Sequence, residues 1–311
     1  MNEQPLVSVV IPVFNGQETV KQAIESILAQ SFTNFEVIVI NDGSTDNTYS
    51  VVRAFGDTRV SVISQVNQGA GAARKKGVEK ARGKYIAVQD ADDISFPTRL
   101  AVQVKFLEDH PRCVAVGTWS RIQGTDNSFR KGHEHPTSNG ELQLLMLFDA
   151  YFVASSVMIR KSELLNAGNY EPLTNGLEDF ELWSRLKDQG DIANVPQVLV
   201  TYREMPGSLS RSNLVERNRE AVAISAANIC RARGHRTHVK CEMSRGLATA
   251  VRHSGQEAVS FSQCIPMVST VLILSIQESV RNPRQVRKIL SIAFMFFRSI
   301  GRSFKAGRAN H

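Results

Sequence analysis

Apolar residues in the first two hundred positions fall into short β-rich runs, separated by segments where they recur every three or four residues. Residues 7–13 form the first run, broken by Pro12. It ends at Phe14, Asn15 and Gly16, after which Val20, Ala23, Ile24, Ile27 and Leu28 lie at helical spacing. Residues 35–40 form a second run ending in Asn41-Asp42-Gly43-Ser44-Thr45-Asp46, a turn-rich hexapeptide suited to capping a helix that begins near Asn47. Residues 60–64 make a third, followed by a glycine-bearing loop at 67–74 and a helix ending near Gly83. Residues 84–88 make a fourth, and with Pro97 barring regular continuation, Asp90, Ala91, Asp92 and Asp93 fall at the carboxyl end of a buried strand. Four strand–helix units in about 90 residues predict a mostly parallel, doubly wound α/β sheet with right-handed crossovers. In such sheets ligands bind along the carboxyl edge.

Beyond Pro97 the pattern predicts a helix over 100–107, a strand over 114–119, a polar loop over 121–140 and a strand over 152–159 holding Ser155 and Ser156. An amphipathic helix then opens with Glu178 and Asp179, and a last strand covers 195–202. From Asn213 the pattern is helical, Arg-rich and poor in strand signals. The 311 residues fit one large α/β domain, 1–210, and a smaller helical one, 211–311. Charge divides the same way, since residues 1–205 carry 20 Lys and Arg against 25 Asp and Glu, and residues 206–311 carry 17 against 5. The two parts therefore face different partners. Cys113, Cys230, Cys241 and Cys264 form no C-x-x-C pair, which suits packing residues in a reducing compartment. Glu3 stands where a secretory n-region would be basic, and no run of 18 apolar residues occurs, so neither a signal peptide nor a spanning helix is expected.

Three carboxylates within four positions repel one another unless a cation or donor cluster sits among them, so Asp90, Asp92 and Asp93 suggest a metal–diphosphate site, against the alternative of a solvated acidic turn. The loop Asn67-Gln68-Gly69-Ala70-Gly71-Ala72-Ala73-Arg74 lacks G-x-G-x-x-G, which argues against a dinucleotide cofactor. His133 and His135 have the spacing of a metal pair but read as exposed loop histidines. Glu178 and Asp179 in turn suit a helix N-terminus through its dipole alone.

Five stretches in register, VSVVIPVFN, NDGSTD, NQGAGAAR, DADD and EDFELWSRL before YRxxxGSLS, resemble the family 2 glycosyltransferases of GT-A fold over residues 6–210. The resemblance implies a Rossmann-like GT-A domain that moves a hexosyl group from a nucleoside-diphosphate sugar to a hydroxyl with inversion, in polysaccharide or cell-envelope synthesis. Pro12, Phe14 and Asn15 would then line the base and ribose, with Phe14 offering a flat apolar face. Asp42 would accept from the imide N–H of uracil or thymine. Arg74, with free helix-terminal amides, would meet the diphosphate. Asp90 and Asp92 would hold ribose and a divalent cation, Mg²⁺ or Mn²⁺, with Asp92 the direct ligand. Asp179 would be the general base. Glu178 joins the substrate-binding residues, and so does Trp183, four positions after Asp179 and on its helix face. One departure bears on the metal: where many relatives have a histidine, this chain has Met205, a poor ligand for a hard cation.

That departure motivates an alternative, a nucleotide-sugar-binding or scaffold protein of the same fold with weak or no turnover, which intact Asp92 and Asp179 disfavour. A nucleotidyltransferase shares the metal–diphosphate chemistry and is disfavoured by EDFELW. Residues 281–311 hold eight basic side chains and no acid around an apolar centre that includes Phe294, Phe296 and Phe297. This mix predicts peripheral contact with the cytoplasmic leaflet, where a lipid-linked glycan would be met, against the alternative of ordinary packing. Residues 265–276 read as a buried helix too short to span. Without a recognised module, nucleic acid is not an expected partner. The expected location is the cytoplasm, at the membrane face.

Overall fold

Strand β1, Val7–Val13, is buried at all its positions, and the period of two along it decides what packs on each side. Val7, Val9, Ile11 and Val13 join a cluster with Val20, Ile24 and Ile27 of α1 (Val20–Leu28) and with Leu100, Val104 and Leu107 of α4 (Arg99–Asp109). Val10 points the other way, where a Cβ added to Gly77 would come within 2.3 Å of its Cγ1. The absence of a side chain at Gly77 thus lets a helix lie directly on the strand. A computed structural model describes residues 4–171 and 176–205, together with 220, 221, 224, 225, 227 and 228.

The remaining elements in chain order are β2 (Phe35–Asp42), α2 (Thr48–Arg53), β3 (Val60–Gln65), α3 (Ala70–Lys80), β4 (Tyr85–Val88), β5 (Ile94–Ser95), α4 (Arg99–Asp109), β6 (Cys113–Gln123), β7 (Phe129–Lys131), α5 (Asn139–Leu145), a 3₁₀ turn (Ala154–Ser156), β8 (Met158–Arg160), α6 (Lys161–Asn166), α7 (Glu178–Leu186) and β9 (Asp191–Arg203). The sheet runs β3-β2-β1-β4-β8-β6-β9-β5, with β7 paired to β6. Strands β1 to β4 are mutually parallel, as the repeated strand–helix pattern requires. Beyond them the sheet is mixed. Strand β8 is antiparallel to both β4 and β6, and β9 is parallel to β6. Strands β1, β2, β4, β6 and β9 therefore share a direction, and their carboxyl ends form one edge.

Three expected elements differ. Residues 152–159 are not one strand: Ser156 N–H donates to the Val153 carbonyl at 2.8 Å and its hydroxyl to the same oxygen, so the chain coils into the 3₁₀ turn before β8. Residues 121–140 are not all loop, because β6 continues to Gln123 and returns as β7 through a tight turn. There Asn127 takes φ 62° and Asp126 Oδ1 accepts from Ser128 N and Oγ. Strand β9 begins at Asp191, earlier than its β-branched run, because β6 pairs with it from Cys113 onward.

The chain divides into two compact units, residues 1–143 with 150–212, and residues 144–149 with 213–311. In the second, Ser225 Oγ donates to the Phe148 carbonyl and Asn228 Nδ2 to that of Met146, both at 3.3 Å. The expected boundary at residue 210, the segment 265–276, the basic tail 281–311, and Cys230, Cys241 and Cys264 lie outside the described residues. Cys113 is a free, buried thiol, as expected of a packing residue. Among the described residues no helix is long and apolar enough to cross a membrane.

Candidate active site

Pro12 sits inside β1 without cost, since β4 pairs with β1 only as far as Val10 and leaves no ladder bond for the missing N–H. It is buried, whereas Phe14 beyond it is 51% exposed at the carboxyl edge, available as a face for a planar ligand. Asn15 adopts φ 50° and splices the first two loops: its N–H donates to Ser44 Oγ at 2.9 Å and its Oδ1 accepts from Thr45 N at 2.8 Å. Asp42 departs from the simple expectation of an open acceptor. Its carboxylate is buried and accepts from Gln65 Nε2 (2.8 Å), Gln68 N (3.0 Å) and Gly69 N (2.8 Å). A carboxylate has roughly four acceptor positions, so one remains on Oδ2 for a base. The same bonds occupy the amides of Gln68 and Gly69, just ahead of α3, and Gly69 at φ 87° makes the turn that presents them.

Arg74 is the clearest correction. Its side chain is only 6% exposed and its two terminal nitrogens already face acids, with Nη1 2.6 Å from Glu178 Oε1, Nη2 2.7 Å from Asp90 Oδ1, and Nη1 3.6 Å from Asp179 Oδ1. It is not an open phosphate-binding cation but a buried tie between α3, the acid turn after β4, and α7. Burial alone would lower its pKa, and the three carboxylates more than reverse this, holding it well above the usual arginine value. The close approach depends on Gly71, where a Cβ would come 2.6 Å from the Glu171 carbonyl and 3.2 Å from Glu178 Cβ. Removing one partner of a buried ion cluster typically costs about 3–5 kcal/mol because the others are left uncompensated. Arg74→Met is therefore expected to lower unfolding free energy in urea by about that much, and a change well below 1 kcal/mol would mean the carboxylates are satisfied without it.

The acid turn separates its three carboxylates. Asp93 turns inward, 1% exposed, accepting from Ser155 Oγ at 2.5 Å and Arg203 N at 2.9 Å. Burial first, then the charges of Asp92 and Asp90, push its pKa well above the ordinary carboxylate range. Asp90 is shared with Arg74, and its N–H donates to Ser155 Oγ. Asp92 is pushed up to about 6 by burial and then by the negative charge of Asp90, while the Arg203 guanidinium binds its carbonyl and so fixes the turn. Two hard-oxygen acids whose proximity raises the pKa of one of them suit a divalent cation. Among the described residues no cluster of three or more His, Cys, Asp and Glu side chains could hold a metal ion. Met205, half-buried, supplies no hard ligand.

On α7, Glu178 is 4% exposed and locked to Arg74, whereas the Asp179 side chain is 21% exposed and farther from it. Asp179 is thus the better placed of the two to meet a substrate. Trp183 does share the side of the helix that faces inward, but it is 1% exposed and packed edge-on against Phe152 and Tyr170, with centroids 5.6 and 6.4 Å away. It is a floor beneath the site rather than a contact surface. His133 and His135 are likewise not exposed: both are half-buried, their rings stacked 5.4 Å apart, with Tyr202 and Tyr151 edge-on to them. Burial lowers both, His135 to about 4, so the pair is uncharged near neutrality. Sequence patterns gave no role to Ser155 or Arg203, and for Arg203 its place in the YRxxxGSLS stretch was the available signal.

Comparison with known proteins places this geometry. A family model, Glycosyl transferase family 2, matches residues 8–167, more than half of the chain. A protein of Bacillus subtilis (strain 168), provisionally named glycosyltransferase EpsE, is 33% identical over 218 residues, covering 68% of this chain and 77% of its own length. Among solved structures, S. aureus TarS 1-349 in complex with UDP-GlcNAc superposes with a TM-score of 0.63 at 16% identity, covering 97% of this chain and 92% of that one. The mannosyltransferase PcManGT from Pyrobaculum calidifontis, in complex with GDP-Man and Mn²⁺, gives a TM-score of 0.55 at 18% identity, covering 94% and 87%. These structures share the curled mixed sheet, and the sequence matches carry the chemistry class: the chain belongs to glycosyl transferase family 2 and is a glycosyltransferase of GT-A fold.

Proposed function

We propose that the protein transfers a sugar with inversion from a nucleoside-diphosphate sugar to a hydroxyl of a glycan or lipid-linked glycan. The observation that carries this reading is the single guanidinium of Arg74, which joins Asp90 of the acid turn to Glu178 and Asp179 of α7. It holds a donor-side and an acceptor-side carboxylate in one rigid cluster. Phe14 and the remaining acceptor position of Asp42 provide for a base with an imide N–H, so uridine and thymidine donors are favoured. Asp92 and Asp90 would hold Mn²⁺ or Mg²⁺, which when bound supplies positive charge to the leaving diphosphate. Asp179 takes the proton from the acceptor hydroxyl as its oxygen attacks the anomeric carbon from the face opposite the diphosphate, and one displacement inverts the centre. Glu178 and Arg74 hold Asp179 in place. The UDP-GlcNAc complex of TarS and the GDP-Man and Mn²⁺ complex of PcManGT support a donor of this class. We place the donor site in the first unit and, from the charge of residues 281–311, the acceptor at the cytoplasmic membrane face.

Release of nucleoside diphosphate from a panel of UDP-, dTDP- and GDP-sugars with Mn²⁺, with and without membrane-extracted glycolipid, tests the reading. Release from one donor class is expected, stimulated by the glycolipid. Binding of sugar nucleotides without any release under either condition would support the non-catalytic alternative raised by Met205.

A further inference from the structure

Behind the acid turn lies a polar layer that no step of the proposed transfer uses. Gln89, wholly buried, spends its full hydrogen-bonding capacity there. Its Nε2 donates to the carbonyls of Asp93 (2.9 Å) and Asp90 (3.2 Å), and its Oε1 accepts from Ser95 Oγ (2.7 Å) and Arg99 Nη1 (2.9 Å). A carboxamide has two donors and two acceptor positions, so nothing is left over, and both donors go to the turn that carries Asp92.

Arg99 is equally saturated. Wholly buried at the start of α4, it donates through Nε to Gln103 Oε1 (3.1 Å), through Nη1 to Gln89 Oε1 and Ser95 Oγ (3.0 Å), and through Nη2 to the carbonyls of Val88 (2.7 Å) and Val157 (3.3 Å). Five N–H groups meet five neutral acceptors. A cation in the first turn of a helix opposes the helix dipole, and burial brings this arginine down to about 9, with the charges of Asp93 and Asp90 acting against that fall. The placement is thus unfavourable for α4 itself and favourable only for what it faces. Val88 is the last residue of β4, and Val157 follows the 3₁₀ turn holding Ser155, whose hydroxyl takes the Asp90 N–H and donates to Asp93. Arg99 therefore clamps both chains from which the acid turn is hung.

We propose that Gln89 and Arg99 are positioning residues for transfer, fixing the Asp90–Asp92 turn in the shape that accepts a cation–diphosphate complex; this rests on the reading of Asp92 and Asp90 as the cation site. Neither side chain is exposed, so neither touches substrate, and their effect passes through the turn. The consequence separates them from residues that merely pack: their loss should weaken cation use before it weakens nucleotide contact or the fold. Groups that orient metal ligands typically account for about 10- to 100-fold in metal affinity.

The test uses the full-length protein, Mn²⁺, and whichever of UDP and GDP it binds. Gln89→Met keeps the length of the side chain and removes its four hydrogen bonds. Nucleotide binding without cation and a cooperative thermal transition are expected to persist, while the Mn²⁺ concentration for half-maximal nucleotide binding rises about tenfold or more. Lost turnover is expected to return progressively as Mn²⁺ is raised. Arg99→Lys, which keeps the charge but not the five-donor fork, should shift the Mn²⁺ requirement the same way. If Gln89→Met does not fold, Ser95→Ala, which removes one bond from each of the two residues, carries the same expectation. Unchanged Mn²⁺ dependence in folded variants overturns the proposal. Asp92→Ala distinguishes the two levels: if it abolishes Mn²⁺-dependent binding and the folded Gln89 variant does not disturb it, only the positioning role fails. If Asp92→Ala leaves Mn²⁺-dependent binding intact, the cation site lies elsewhere and the positioning role falls with it.

Discussion

Asp179→Asn is expected to abolish measurable transfer while leaving Mn²⁺-dependent binding of the donor nucleotide in place. The substitution preserves shape and removes the basic oxygen, so the loss should fall on kcat, by about 10²- to 10⁴-fold, the usual worth of a positioned general base. The neighbouring acid is the natural control. Glu178 is buried against Arg74 at 2.6 Å, so Glu178→Gln should lower stability by breaking a buried charge pair, with any loss of activity following the loss of fold. Single-turnover transfer, donor calorimetry and urea unfolding on both variants separate the roles. Full transfer activity in Asp179→Asn would remove it as the base and move attention to Glu178.

Asp92→Ala should lose the cation-dependent part of donor binding and nearly all transfer. A bound cation contributes several kcal/mol of charge stabilisation to the transition state, so a drop on the order of 10³-fold is expected at 1.36 kcal/mol per decade. Asp93→Ala is expected to behave differently although it is the next residue. Asp93 binds Ser155 Oγ and Arg203 N inside the protein, so its loss should lower the melting temperature as well as activity. Calorimetry with Mn²⁺ and Mg²⁺ on the two variants reads this difference directly. Undiminished, metal-dependent nucleotide binding by Asp92→Ala would place the cation elsewhere.

Periodicity makes the parallel half of the sheet legible, since β1, β2 and β4 each carry a run buried on both faces, β3 is a β-branched edge run, and each of the four but the last is followed by a helix. It was a poor guide after residue 110, where strands are set by long-range pairing rather than by their own composition. Strand β9 begins in Asp191-Ile192-Ala193-Asn194 because β6 is there to receive it, and Ser155 sits in a 3₁₀ turn because its hydroxyl is needed by Asp93. At the site, the acidic positions stand out in the sequence by their clustering. Their separation does not: adjacent Asp92 and Asp93 look alike in sequence, and only the fold shows one turned inward. Arg74 was found for its charge and misread for its surroundings, because the three acids that claim it are 16, 104 and 105 residues away. For Asp42, what the sequence hides is that three of its acceptor positions are taken by Gln65 and by the loop that its β-strand neighbour delivers, which leaves one.

The antiparallel pairing of β5 with β9 leads to an expected order of events during synthesis. Strand β5 is two residues long, directly follows the acid turn, and pairs with Val200 and Thr201, while Asp93 waits for the amide of Arg203. Contacts of such sequence separation form late, because the closure entropy of the intervening chain is met before they return anything. A nascent chain ending before residue 200 is thus expected to assemble the four parallel strands and the Asp42 loop without a finished acid turn. The acid turn is expected to reach its finished shape only when the last strand pairs beside β6.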